Sequence, residues 1–433
     1  MHYYSISNPN IQSSFREATL EGQPMGGGLY FPDQIPLWDS SFIQALPQLS
    51  KAEIGFRIMQ PYVGGTLSDD VLFSIMEDVL SFDFPLKKIN ANTWCLELFH
   101  GPTLAFKDLG ARFLSRVMGH FATAGQRKIV VLVATSGDTG GAVADAFHGV
   151  EGTEVIILYP SGKVSPVQEK QLTTLGGNIH ALEVLGDFDD CQRLVKQAFQ
   201  DEALKTGILL TSSNSINISR WLSQQVYYAL ALAQWPEDNA PVIAVPSGNF
   251  GNICAGLVAQ QSGLPVKHFI AACNANNVFT NYLDTAIYQP KHAVATISNA
   301  MDVGNPSNFE RILQLFNKDH GAVKKLVSSA SISDADTEAT ISSIAKELGY
   351  IMDPHTAVAY NALGKWRQKN GDHAGIILGT AHPVKFPDVV ERVTGTPITI
   401  PEAVAGIMEK DKLSTTIKPD YQSLQEAIQQ VKN

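Results

Sequence analysis

From about residue 128 onward, short apolar runs alternate with stretches whose apolar residues recur at helical spacing, and this alternation limits the fold more than any other feature. Residues 129–134, 155–159, 179–184, 208–211, 242–245, 268–273 and 376–378 read as short strands, with helices filling the gaps. Ser165-Pro166 and Asp353-Pro354 each set a capping residue ahead of a proline suited to the first helical position, which predicts helices over 167–175 and 355–366. The expected class is α/β with a mostly parallel sheet. In such sheets ligands gather beyond the carboxyl ends of the strands.

Two loops fall at such ends. Pro246-Ser-Gly-Asn-Phe-Gly251-Asn follows the 242–245 run and precedes a helical stretch from Ile253. Backbone N–H groups in a loop of this kind close around an anion at a helix N-terminus, with Gly248 and Gly251 expected to take unusual dihedrals. An ordinary strand-to-helix turn fits the same residues. The spacing is not the three-glycine dinucleotide fingerprint, and no lysine is present for a nucleoside triphosphate, so a single phosphate is the better guest. Ala134-Thr135-Ser136-Gly137-Asp138-Thr139-Gly140 lies between the 129–134 run and a helix expected over 142–147. Its hydroxyls and amides suit a carboxylate, although a simple capping turn accounts for them equally well.

Lys107 follows Phe106 in His100-Gly-Pro-Thr-Leu-Ala-Phe-Lys107-Asp-Leu-Gly, just ahead of a helix-like stretch. Apolar flanks favour desolvation, which lowers the pKa of an amine and favours the neutral nucleophile. A snorkelling surface lysine at a helix start is the competing reading.

Together these segments resemble the fold-type II pyridoxal-phosphate enzymes, and the match narrows to the threonine synthase family with a long N-terminal segment. It is carried by Gly27-Gly-Leu-Tyr-Phe-Pro32, the lysine segment, Ser136-Gly-Asp-Thr-Gly140, Asn214-Ser-Ile-Asn217, the glycine loop and Gly379-Thr-Ala-His-Pro383. The resemblance implies two open, mostly parallel α/β subdomains within residues 91–433 and an N-terminal extension over 1–90, with soft boundaries. It implies pyridoxal 5'-phosphate as cofactor, borne by Lys107 beside Phe106. Gly248, Asn249, Phe250, Gly251 and Asn252 would hold its phosphate, and Thr380 would face its pyridine nitrogen. The implied reaction is γ-elimination and β-replacement, turning O-phospho-L-homoserine and water into L-threonine and phosphate. Ser136, Gly137, Asp138 and Thr139 would take the substrate carboxylate, and Asn214, Ser215 and Arg220 its phosphate. Asp138 stands where many relatives carry Asn, and an acid there would repel a phenolate, so an orienting role is expected for it. Thr211 onward is expected to begin a long helix holding Arg220 one and a half turns in. Lys163 is a second cation, read as solvated. Two alternatives stay open: another fold-type II lyase, such as a threonine or serine deaminase, and a non-catalytic homologue that binds the cofactor.

Composition agrees with a globular enzyme. The chain has 433 residues, 44% hydrophobic and 17% charged, enough for a large core in two or more domains. A net charge of -10 argues against nucleic acid as the partner and leaves a small-molecule substrate. Cys95, Cys191, Cys254 and Cys273 lack metal-binding spacing and read as buried thiols of a reducing compartment. No metal is implied, and His100 and His382 read as structural. Residues 1–12 are polar, and no apolar run approaches a membrane span, so a cytoplasmic location is expected. A monomer or homodimer is expected as well.

Overall fold

The structure, a computed structural model, describes residues 1–123, 127–204 and 206–432. Among these residues, one sheet orders its strands as Val327–Ser331, His268–Cys273, Val242–Pro246, Gly375–Gly379, Thr93–Glu97 and Leu86–Lys88, parallel except for the last pair. A second sheet runs Ser414–Ile417, Ile179–Val184, Thr153–Pro160, Lys128–Ala134 and Ile208–Ser212, parallel throughout. Strands such as Val242–Pro246 and Gly375–Gly379 are buried at every residue, as parallel strands covered by helices on both faces must be. That is why they read as continuous apolar runs. Separate apolar clusters fill the space between each sheet and its helices.

Every expected strand is present, extended by a residue or two at some ends. Ser165 caps Pro166–Thr173 with a reciprocal capping box, and Asp353 caps Pro354–Asn370 by accepting from His355 N and Thr356 N. The long helix expected after residue 211 is absent. Ile218–Leu222 stops after little more than a turn, and Gln225–Ala233 begins anew. The break comes where the Ser223 hydroxyl and the Gln224 amide both donate to the Arg220 carbonyl, offering it partners other than the helical N–H. Arg220 is therefore the third residue of a short helix.

The first 90 residues hold a small antiparallel sheet of Tyr3–Ser5, Gln12–Ser13 and Tyr30–Pro32, which no sequence reading anticipated, followed by the helices Ser40–Ala45, Lys51–Val63 and Asp69–Val79. Among the described residues, no helix is long and apolar enough to cross a membrane. Cys95, Cys191, Cys254 and Cys273 are buried free thiols.

Candidate active site

The loops at the carboxyl ends of Lys128–Ala134 and Val242–Pro246 face one cleft of about 1650 Å³. It is lined by Phe106 and Lys107, by Ser136, Asp138 and Thr139, by Asn214, Ser215 and Arg220, and by Thr380. Gly248, Asn249, Phe250, Gly251 and Asn252 complete the wall. Of the residues implied to hold cofactor or substrate, Gly137 stays out of it. Its φ of +135° makes the turn into Asp138–Phe147, and a Cβ there would meet the Gln168 side chain at 2.5 Å, so its task is the turn itself.

Lys107 opens the Lys107–Thr123 helix with 16% of its side chain exposed to the cleft. Burial pushes its amine down to about 8; Asp138 pulls upward, and Arg220 and Lys385 add to the fall. The nearest carboxylate is Asp138, whose Oδ2 lies 3.9 Å from Lys107 Nζ. Burial opposes ionisation of Asp138, but the cations Lys385 and Lys107 and hydrogen bonds from Lys385 and Gln168 hold its carboxyl well below the ordinary range. In the same loop the Thr135 hydroxyl accepts from Gly137 N and Gly140 N, each at 2.9 Å. The N–H groups of Ser136, Asp138 and Thr139 have no protein acceptor among the described residues, which leaves three amides at a helix N-terminus for an anion.

The glycine loop corrects one expectation. Neither Gly248 nor Gly251 has positive φ; the left-handed residue is Phe250, at φ 62°. The glycines answer to close approach: a Cβ on Gly248 would lie 2.6 Å from Met301 Cα, and one on Gly251 would lie 3.1 Å from Ser215 Cβ. Among the described residues no protein acceptor takes the N–H groups of Gly248, Asn249, Phe250, Gly251 or Asn252, and Gly251–Gln261 starts within that run. Five consecutive amides at a helix N-terminus fit a phosphate. The Lys107 amine and the neutral hydroxyl residue Thr380 lie in the same cleft, so an aldehyde bound there has an amine to meet. The residues present therefore fit pyridoxal phosphate.

Arg220 is buried, donates to the Ser213 carbonyl, and is pushed down to about 10 by burial, with Asp108 opposing. Asn214 Oδ1 and Ser213 Oγ are buried without a partner among the described residues. Ser215 Oγ accepts from Asn249 Nδ2 at 2.8 Å and from Asn308 Nδ2 at 3.0 Å, so it borders the glycine loop rather than standing with Arg220 alone. Lys163 is exposed and does not line the cleft. His100 pairs with Glu97 at 2.7 Å, while His382 Nδ1 accepts from Val384 N at 3.1 Å, both structural tasks.

Sequence reading missed three residues. Lys385 is wholly buried, with Nζ 2.8 Å from Asp138 Oδ1 and donating to Thr103 O at 2.8 Å. His355 pairs through Nδ1 with Asp353 at 2.7 Å and accepts from Ala300 N through Nε2 at 3.1 Å, which fixes the segment packed on Gly248. Arg311, also wholly buried, donates to Ser215 O at 3.0 Å and Ile216 O at 2.6 Å. A lysine between Val384 and Phe386, with an apolar residue before it as Lys107 has, and a histidine just past an Asp-Pro cap were the only signals available.

Comparisons with known proteins identify the family. Residues 79–378 match the family model described as pyridoxal-phosphate dependent enzyme, residues 2–80 that of the threonine synthase N terminus, and residues 356–428 that of the threonine synthase C-terminal region. The chain is 44% identical over 430 residues to a threonine synthase of Serratia marcescens, with 99% of each covered. The crystal structure of threonine synthase from Escherichia coli matches with a TM-score of 0.93 at 42% identity, over 99% of this chain and 100% of that one. A PLP-bound threonine synthase from Brucella melitensis matches with a TM-score of 0.93 at 33% identity, over the full length of both. With the lysine, both loops of unpaired amides and the N-terminal segment in place, the chain belongs to the threonine synthase family of fold-type II, pyridoxal-phosphate-dependent enzymes.

Proposed function

We propose that the chain converts O-phospho-L-homoserine and water to L-threonine and phosphate, a carbon-oxygen lyase reaction made of γ-elimination and β-replacement. The observation that carries this reading is the buried Arg220, beside Asn214, in the same cleft as the Lys107 amine and the Gly248 loop. A lyase acting on serine or threonine needs an anion site for the cofactor phosphate and one for the carboxylate; Arg220 supplies a further one.

Pyridoxal phosphate, when bound, supplies an electron sink that acidifies the carbon next to the substrate amine. The amides of residues 248–252 would hold its phosphate and Thr380 would face the ring nitrogen, with Phe106 flanking Lys107. The amides and hydroxyls of Ser136 and Thr139 would orient the substrate carboxylate, with Gly137 shaping the turn and Asp138 held off the substrate by Lys385. Asn214 and Arg220 would take the substrate phosphate, with Ser215 linking that pocket to the glycine loop. Lys107 Nζ, close to half neutral near pH 8, would take the protons from Cα and Cβ and return two, one to Cγ, which becomes the methyl, and one to Cα, while water gives its hydroxyl to Cβ and its remaining proton leaves with the phosphate.

The same reading divides the chain into residues 1–90 as an N-terminal segment and 91–433 as the catalytic region, acting in the cytoplasm as a monomer or homodimer without nucleic acid. Product analysis tests the reaction: threonine and phosphate from O-phosphohomoserine support it. Formation of only 2-oxobutanoate from threonine would mark a deaminase. Arg220→Ala should lower kcat/KM for the phosphorylated substrate roughly ten- to hundredfold, the loss of a charge-assisted contact of about 1.5–3 kcal/mol. It should leave the cofactor's absorbance unchanged. A wild-type kcat/KM in that variant places the phosphate pocket elsewhere.

A further inference from the structure

We propose that Lys385 is a positioning residue for the reactive amine: it occupies the Asp138 carboxylate, so that Asp138 can stand beside Lys107 without holding a proton on it. The proposal rests on Lys107 being the reactive amine. One carboxylate lies between two lysines, with Oδ1 2.8 Å from Lys385 Nζ and Oδ2 3.9 Å from Lys107 Nζ. Gln168 Nε2 adds a hydrogen bond to Oδ1 at 2.9 Å, and Lys385 is tied back to Thr103 O at 2.8 Å. The short, fully buried contact belongs to Lys385, and the longer one, at the cleft, to Lys107.

The charges follow from this asymmetry. A buried carboxylate needs a cation, and Lys385 is the one in hydrogen-bonding contact. With that pair balanced, a neutral Lys107 leaves the trio without net charge, whereas an ammonium there would leave an excess positive charge. Arg220 also faces Lys107, and Asp108 lies near both Arg220 and Lys385, its own carboxyl raised to about 6 by burial. The lowered amine of Lys107, at about 8, agrees with this balance. Take Lys385 away, and Asp138 has Lys107 as its nearest cation and stabilises its ammonium.

Competitive acetylation across a pH series, read by mass spectrometry of the peptide bearing Lys107, measures the titration of that amine in the full chain freed of cofactor. In Lys385→Met the midpoint should rise by about one to three pH units, the effect of an opposite charge within contact range. Labelling at pH 8 should then fall about fivefold or more. In the double variant Asp138→Asn with Lys385→Met both charges are gone, and the midpoint should return close to wild type. An unchanged midpoint in folded Lys385→Met overturns the proposal, as does a double variant that keeps the raised midpoint. Where Lys385→Met does not accumulate as folded protein, Asp138→Asn decides: Lys385 is then unmatched beside Lys107, and the midpoint must fall below wild type, any other result counting against the proposal. Labelling reads Lys107 without cofactor or substrate, so failure here is separate from failure of the reaction assigned above, which wild-type product analysis tests.

Discussion

Burial pushes the Lys107 amine down to about 8 while Asp138, at 3.9 Å, pulls the other way, and burial wins. Below that value each pH unit removes roughly nine-tenths of the remaining neutral amine, and above it the neutral form saturates. The rate at which the cofactor-free chain attaches pyridoxal phosphate should therefore climb with pH to about 8 and then level off. Stopped-flow absorbance checks this, and a flat rate on the acid side would refute it. Lys107→Ala should keep the circular dichroism of the wild type and lose both turnover and the label that borohydride fixes at this position. Recovery of the label on another lysine would move the assignment. Lys107 was legible because its apolar flanks and its helix lie next to it in sequence. Lys385 also follows an apolar residue but owes its meaning to Asp138, which only the fold brings to it. Asp138 itself read as an oddity without that partner.

Secondary elements were legible to the degree that burial on both faces made them apolar. Val242–Pro246 and His268–Cys273 stand out in the sequence for that reason. Val327–Ser331 and Ser414–Ile417 lie at sheet edges and carry serines and threonines, so they gave no signal. Thr93–Glu97 is interior yet begins and ends in polar residues, which Arg367 and Tyr350 satisfy from far along the chain. The glycine loop was found by its place between strand and helix, but the reason for its glycines was not, because Met301 and Ser215 press on it from other elements. That packing sharpens a test at this scale. Gly251→Asp puts a Cβ 3.1 Å from Ser215 Cβ and a carboxylate among amides that fit an anion. Cofactor should be lost on dialysis, with the visible absorbance going with it. Full retention would show that the loop is only a turn.

At the scale of the molecule, the N-terminal segment does more than precede the catalytic region, since residues 26–28 line the cleft. One buried side chain ties it there. Arg311 donates from Nε to Tyr30 O at 3.2 Å, in the strand Tyr30–Pro32, and its terminal nitrogens reach Ser215 O, Ile216 O and Asn308 Oδ1. Its guanidinium stacks 4.2 Å from the Trp221 ring centroid, and burial pushes it down to about 9. Asn308 and Ser215 in turn hold Asn249 of the glycine loop, so a single guanidinium joins the N-terminal sheet, the loop ahead of the short Arg220 helix and the glycine loop. Arg311→Met keeps most of the volume and removes every donor. Each carbonyl left buried without a partner costs about 1–3 kcal/mol, so the loss should reach at least about 3 kcal/mol. The midpoint of thermal unfolding should fall. In the fraction that still folds, cofactor retention and KM for O-phosphohomoserine should worsen together, because Ser215, whose carbonyl Arg311 holds, bonds to Asn249 of the glycine loop and lines the same cleft as Arg220. A variant that unfolds early but binds cofactor and substrate as the wild type does would confine Arg311 to stability. A variant unchanged in all three would show that the N-terminal sheet is held against the cleft by its other contacts, such as the bond from Gln314 Nε2 to Tyr4 Oη at 2.8 Å.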